Sequence, residues 1–246
     1  MRVLATYSIK GGVGKTAAAV NLAYLASRDG ARTLLWDLDP QGAATWLFRV
    51  KPRVKGGGSA LVRGRRDLGD AIKGTDFDGL DLLPADFSYR HLDLELDGAK
   101  KPRARLARLL APLRHEYDVV LLDCPPSISL VSESVFRAAA TLLVPLVPTT
   151  LSLRTLDQLH AFLDGGRAQG PAVLAFFSMA DRRKRLHREV MATLPGARPG
   201  VLQSAVPSST EVERMGLHRA PVPVFAPRSR AAAAYEELWR EVQGAG

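Results

Sequence analysis

The chain has 246 residues, 46% of them hydrophobic and 24% charged, with 34 Lys plus Arg against 25 Asp plus Glu and a formal net charge of +9. That balance suits a globular α/β core, and no run approaches the ~18 apolar residues of a membrane span. A single cysteine, Cys124, excludes an internal disulfide, an all-cysteine metal site and a cysteine-held iron–sulfur cluster.

Residues 2–7 predict a strand, begun so soon after Met1 that a signal peptide has no room, and a cytoplasmic address is expected. Lys10-Gly11-Gly12-Val13-Gly14-Lys15-Thr16 follows, opening a helix over 16–28 with Val20, Leu22, Ala23 and Leu25 available for burial. A strand over 33–37 ends in carboxylates. Residues 49–60, with Pro52, Gly56, Gly57, Gly58 and basic Arg49, Lys51, Arg53 and Lys55, read as a mobile surface loop. A strand over 80–83, a connector over 94–103 and a helix over 103–114 come next. Beyond them lie strands over 119–123, 141–145 and 173–178, and helices over 130–138, 152–163, 183–193 and 231–242. The strand runs are apolar throughout, as in parallel strands covered on both faces. Their alternation with helices predicts a doubly wound, mostly parallel twisted sheet with helices on both sides, in one domain over 1–246.

A standard phosphate loop is Gly-x-x-x-x-Gly-Lys-Ser/Thr, whose backbone N–H groups cradle phosphate while its Lys reaches the β/γ oxygens and its hydroxyl ligates Mg²⁺. Gly14-Lys15-Thr16 supplies the end of that pattern, placed between a strand and a helix. Ile9 stands where the first glycine belongs, and Lys10 adds a second positive charge to the loop. Asp37-Leu38-Asp39-Pro40-Gln41-Gly42 follows the second strand at the ligand-binding edge of such a sheet. A spacing of two at a strand end leaves open whether both carboxylates point into one site. Val119-Val120-Leu121-Leu122-Asp123 ends in the carboxylate expected to hold Mg²⁺ through water. Cys124 has no histidine beside it in sequence and reads as a packing residue.

Residues 9–16 match, without a gap, the x-Lys-Gly-Gly-x-Gly-Lys-Thr signature of the deviant Walker A ATPases, and the chain resembles that ParA, MinD and Soj family from residue 3 to residue 242. The resemblance implies ATP and Mg²⁺ as cofactors and a slow, partner-stimulated ATP hydrolase. It implies that Lys10 reaches across a dimer interface to the partner's nucleotide while Lys15 grips the phosphates of its own ATP. Gly11, Gly12, Val13, Gly14 and Ala17 would complete the nucleotide cradle, with Thr16 on Mg²⁺. Asp39, in the Asp-x-Asp-Pro-Gln switch region, is implied to position the attacking water or the Mg²⁺ shell, with Asp37 nearby. Asp123, in Asp-x-Pro-Pro, is implied on Mg²⁺. Ser178-Met179-Ala180-Asp181 and Ala205-Val206-Pro207 resemble the family's Thr-Met-x-Asp and Val-Ile-Pro, which puts Met179 and Pro207 on the adenine side.

Past Pro207 the chain departs from the family, and Glu211 falls where a DNA-contacting arginine is expected. Arg182, Arg183, Lys184, Arg185, Arg214 and Arg219 cluster in the two segments concerned, joined by Arg188 and His218, and point to non-specific DNA. The family reading further implies an ATP-dependent homodimer, a ParB-like or cargo adaptor protein, and a nucleoid-associated location. The terminal helix carries Glu236, Glu237 and Glu241, unlike a basic amphipathic membrane anchor, so no membrane partner is expected. The alternatives are a MinD-like membrane-surface regulator and a metabolic P-loop enzyme such as an amidoligase; the lack of an added substrate domain counts against the latter. The chain also lacks a helix-turn-helix ahead of the loop, against a site-specific repressor.

Overall fold

The computed structural model describes residues 1–165 and 170–245. Among them, β1 (Arg2–Thr6), β2 (Thr33–Asp37), β3 (Lys73–Gly74), β4 (Leu80–Leu83), β5 (Val119–Asp123), β6 (Thr141–Leu146), β7 (Ala172–Ala180) and β8 (Val201–Pro207) form one sheet in the order β3-β4-β2-β5-β1-β6-β7-β8. Every pairing is parallel except β3 with β4. The strands are apolar on both sides because both faces are covered. Leu4, Leu35, Leu121 and Leu143 face a core shared with α1 (Lys15–Arg28), α2 (Ala43–Leu47) and α12 (Arg230–Gly244). Ala5, Leu34, Leu122 and Leu142 face the opposite core. That second core is closed by α3 (Gly57–Val62), α4 (Leu92–Asp97), α5 (Arg105–Leu110), α6 (Leu130–Ala138), α7 (Thr150–Asp164) and α8 (Arg185–Ala197). Three short helices, α9 (Thr210–Glu213), α10 (Met215–His218) and α11 (Val222–Phe225), lead from β8 to α12.

Strand register positions the site. Thr6 of β1 pairs with Asp123 of β5, which pairs with Asp37 of β2, so three polar residues end adjacent strands in one row.

Three local expectations need correction, and one strand was not foreseen. Residues 49–60 are not a mobile loop: Val54 is buried, Gly57 opens α3, and the Gly58 N–H donates to Ser88 Oγ at 2.8 Å. Gly58 is needed there because a Cβ would lie 2.9 Å from Tyr89 Cδ1. The connector over 94–103 begins inside α4, whose Leu96 is buried. The helix over 103–114 stops at Leu110 and continues as a 3₁₀ turn through Pro112, which has no N–H to donate. β8 had no expectation of its own; it is an edge strand alternating buried Val201, Ser204 and Val206 with more exposed residues.

Candidate functional site

The loop between β1 and α1 separates its two lysines by burial. Lys10 is exposed and its N–H donates to Ser8 Oγ at 3.2 Å. Lys15 is only 7% exposed, and its Nζ donates to the Lys10 carbonyl at 3.5 Å. Burial pushes the Lys15 ammonium below its ordinary pKa, opposed first by the neighbouring Asp123 and also by Asp39. Gly14 is the N-cap of α1 at φ 93°, where a Cβ would lie 2.7 Å from Ser178 Oγ. No side chain caps α1, and no acidic residue occupies its first turn. A helix start of this kind, beside a desolvated ammonium, is suited to phosphate.

The carboxylates divide their tasks. Buried Asp37 accepts from the backbone N–H and the hydroxyl of Thr45 on one oxygen, at 2.8 and 2.7 Å, and from the Asp39 N–H on the other at 3.3 Å. Thr45 Oγ1 in turn accepts from the Ala85 N–H at 2.8 Å. Asp37 therefore fastens α2 to the sheet. The Asp39 carboxylate, half-buried, accepts from the Gln41 N–H at 2.9 Å within its own turn. The Asp123 Oδ1 accepts from Thr6 Oγ1 at 3.2 Å, whereas its Oδ2 is buried with no hydrogen-bond partner among the described residues. Burial raises the pKa of Asp123 and then the neighbouring Asp37 raises it further, against Thr16, Thr6 and Lys15. Burial raises Asp37 as well.

Among the described residues no group of three or more His, Cys, Asp or Glu could hold a metal by itself. The unsatisfied Asp123 oxygen, on a carboxylate that neighbours Thr16, fits a divalent cation whose remaining ligands come from phosphate and water. Cys124 is buried and its thiol is pushed well up by burial, which matches the packing role. Sequence reasoning missed Thr6 and Thr45, which brace the site from β1 and α2, and it quoted Ser178 only within its motif, without its place against Gly14.

Met179 is exposed at φ 52°, one residue beyond the Ser178 that covers Gly14. Pro207 ends β8 opposite Ala180, so both adenine-side candidates sit at neighbouring strand ends. Arg182, Arg183 and Lys184 are exposed in the turn between β7 and α8, and Arg185 is exposed at the start of α8. Arg183 forks Asp181 at 3.0 Å and holds its carboxyl down at about 2. Arg185 pairs with Glu189 at 2.6 Å, and Arg188 donates to the carbonyls of Arg182 and Arg183. Arg214, exposed, ends α9. Arg219 behaves differently: its Nε donates to the Trp46 carbonyl at 2.9 Å and its guanidinium lies 4.0 Å over the Trp46 ring. Among the described residues no helix is long and apolar enough to cross a membrane, and α12 turns Ala231, Tyr235, Leu238 and Val242 into the core.

The profile of a family described as an AAA domain matches residues 1–169. The chain is 30% identical to the sporulation initiation inhibitor protein Soj of Bacillus subtilis, over 100% of this chain and 99% of that protein. It is 32% identical to the chromosome partitioning protein ParA of Caulobacter vibrioides, covering 98% and 94%. Among solved structures it is similar to a cobyrinic acid a,c-diamide synthase from Mycobacterium smegmatis with bound ATP analog and magnesium. That likeness has a TM-score of 0.82 at 27% identity and covers 99% of this chain and 94% of that one.

Proposed function

The chain belongs to the ParA/Soj family of P-loop ATPases, and from that premise we propose that ATP closes two copies face to face into a dimer that binds DNA non-specifically. Such a dimer partitions or positions a plasmid, a chromosome region or a protein cargo, and a ParB-like or adaptor protein stimulates its slow hydrolysis. Residues 1–246 act as one ATPase domain in this reading, retained on the nucleoid while ATP is bound.

The observation that carries the reading is the split between the two loop lysines. Lys15, buried beside the carboxylates, holds the phosphates of its own nucleotide. Lys10, exposed at the rim, is available to the nucleotide of a facing copy. Thr16 and Asp123 would hold Mg²⁺, which supplies charge neutralisation on the phosphate oxygens. Asp39, oriented by the Gln41 N–H, positions the attacking water. Phosphoryl transfer asks little covalent chemistry of the protein, so the desolvated Lys15 ammonium and the α1 N–H groups contribute by stabilising developing charge. Gly11, Gly12, Val13, Gly14 and Ala17 surround the phosphates, with Met179 and Pro207 toward adenine.

DNA is met by the exposed stretch over 182–185, the turn before α8 and its first residue, with Arg214. Arg182 and Lys184 make no ion pair among the described residues, which leaves their charge for phosphate. Retention on DNA, compared with ATP and with ADP across rising salt, tests the reading. Retention with ATP alone, falling steeply with salt and weakened for all sequences by Arg182→Ala with Lys184→Ala, supports it. Nucleotide-independent retention, or none at low salt, sinks it.

A second reading, a nucleotide-dependent amide-forming enzyme, draws on the similarity to the diamide synthase, 94% of which this chain covers. The expectation of an added substrate domain therefore does not separate the two readings. ADP release that requires a carboxylic acid and an amine donor would favour this second reading.

A further inference from the structure

The helix that follows the switch carboxylates is held at both ends. At its start, Thr45 donates twice to Asp37, at 2.8 and 2.7 Å. At its end, the Trp46 carbonyl accepts from Arg219 Nε at 2.9 Å, and the Arg219 guanidinium stacks 4.0 Å over the Trp46 ring. Three residues on, Arg49 Nη2 donates to the His218 carbonyl at 3.1 Å while Nη1 pairs with Asp76 at 3.1 Å. Arg49 and Arg219 both adopt left-handed backbone, at φ 60° and 49°, unfavourable for residues with a Cβ and maintained by these contacts.

The same outer segment is tied to α1. Asn21 Oδ1 accepts from the Val222 N–H at 2.8 Å, and Asn21 Nδ2 reaches Met215 Sδ at 3.4 Å. Thus α10 is fastened both to the helix that starts at Lys15 and to the helix that follows Asp37 and Asp39. Arg214 sits at the junction of α9 and α10, as C-cap of one and N-cap of the other. Anything that displaces α2 at Asp37 must also break the Trp46–Arg219 stack or carry residues 210–218 with it.

We propose that Trp46 and Arg219 form a latch that relays the state of the nucleotide site to the outer segment over 210–218. Arg219 is a positioning residue that acts through Trp46, not a phosphate contact. The inference rests on the ATP-gated DNA-binding reading for its output, and on the geometry around Asp37 for its input. A planar guanidinium is required, because the stack and the bond to a carbonyl use its face and edge together.

Trp46 gives the latch its own readout, since it is 57% exposed whereas Trp36 and Trp239 are 2% and 4% exposed. Acrylamide quenching, with Trp46→Phe as the subtraction control, is expected to differ between protein loaded with a non-hydrolysable ATP analogue and protein loaded with ADP. In DNA retention, Trp46→Ala and Arg219→Ala are each expected to cut the ATP-over-ADP preference by on the order of 5-fold, with ATP affinity retained. The double variant should be no worse than either single one. Arg219→Lys should fail to restore the preference, while Trp46→Phe should restore part of it.

Additive losses, or wild-type behaviour of Arg219→Lys, would make Arg219 an ordinary charge contact and overturn the latch. Identical Trp46 quenching in the two nucleotide states would overturn it without any DNA present. A wild-type protein that shows the quenching difference but no ATP-dependent retention would instead defeat the DNA reading.

Discussion

Asp123→Asn should stabilise the nucleotide-free protein while abolishing hydrolysis. Asp123 is fully buried beside Asp37, and one of its oxygens has no partner among the described residues. Without a cation it must either carry a buried charge or take up a proton. Protonation caps the cost: at pH 7, about three pH units above an ordinary carboxylate, it is about 4 kcal/mol at most. Asparagine keeps the Thr6 hydrogen bond through its Oδ1 and removes the charge, but it also removes an attraction that favours the Lys15 ammonium. A net gain of about 1–3 kcal/mol remains at pH 7, a rise in Tm of several degrees for a chain of this size. The folded-state pKa of Asp123 lies above its unfolded value. The wild-type contribution is therefore most favourable below the unfolded pKa and is lost as pH rises toward the folded one. The advantage of the asparagine variant should accordingly shrink by up to about 1.4 kcal/mol per pH unit on going from pH 7 to pH 5. Urea unfolding of both proteins at pH 5, 6 and 7 without nucleotide measures it. A destabilised variant at pH 7, or a difference that does not narrow on acidification, refutes the argument. Saturating ATP with Mg²⁺ should reverse the order, because only wild type offers the full cation site.

Gly58→Ala should cost about 1–3 kcal/mol, since its Cβ would meet the Tyr89 ring and Leu92 at 2.9 and 3.1 Å. A neutral or stabilising effect on the urea midpoint would return this stretch to the class of mobile loops. Cys124, buried beside Asp123 with its thiol pKa well raised, should resist iodoacetamide at pH 8 in the native protein and react at the rate of unfolding. Prompt stoichiometric labelling of the folded protein would contradict that burial.

The parallel strands were legible because burial on both faces makes the middles of β1, β2 and β5 continuously apolar, up to the polar Thr6, Asp37 and Asp123 that end them. β8 was not, because Gln203 and Ser204 interrupt it. Their N–H groups are satisfied by Glu241 of α12 at 3.0 and 2.8 Å, a partner remote in sequence. α3 was hidden by its own glycines, which sequence alone assigns to flexibility and packing assigns to contact with Tyr89. Lys15, Thr16 and Asp123 follow from local spacing. Their supports do not: Thr6 meets Asp123 only through the register of β1 on β5, and Thr45 meets Asp37 only through the turn into α2. Arg219 shows the same limit. A count of basic residues places it with Arg214, while a contact 173 residues away turns it onto Trp46.

Sedimentation velocity with a non-hydrolysable ATP analogue, alongside nucleotide affinity, tests the ATP-gated dimer most directly. Wild type should sediment as a dimer with the analogue and as a monomer with ADP. Lys10→Ala should bind nucleotide yet stay monomeric, and Lys15→Ala should lose nucleotide affinity itself. Dimerisation of Lys10→Ala like wild type, or equal loss of nucleotide affinity in the two variants, would contradict the division of labour between the exposed and the buried lysine.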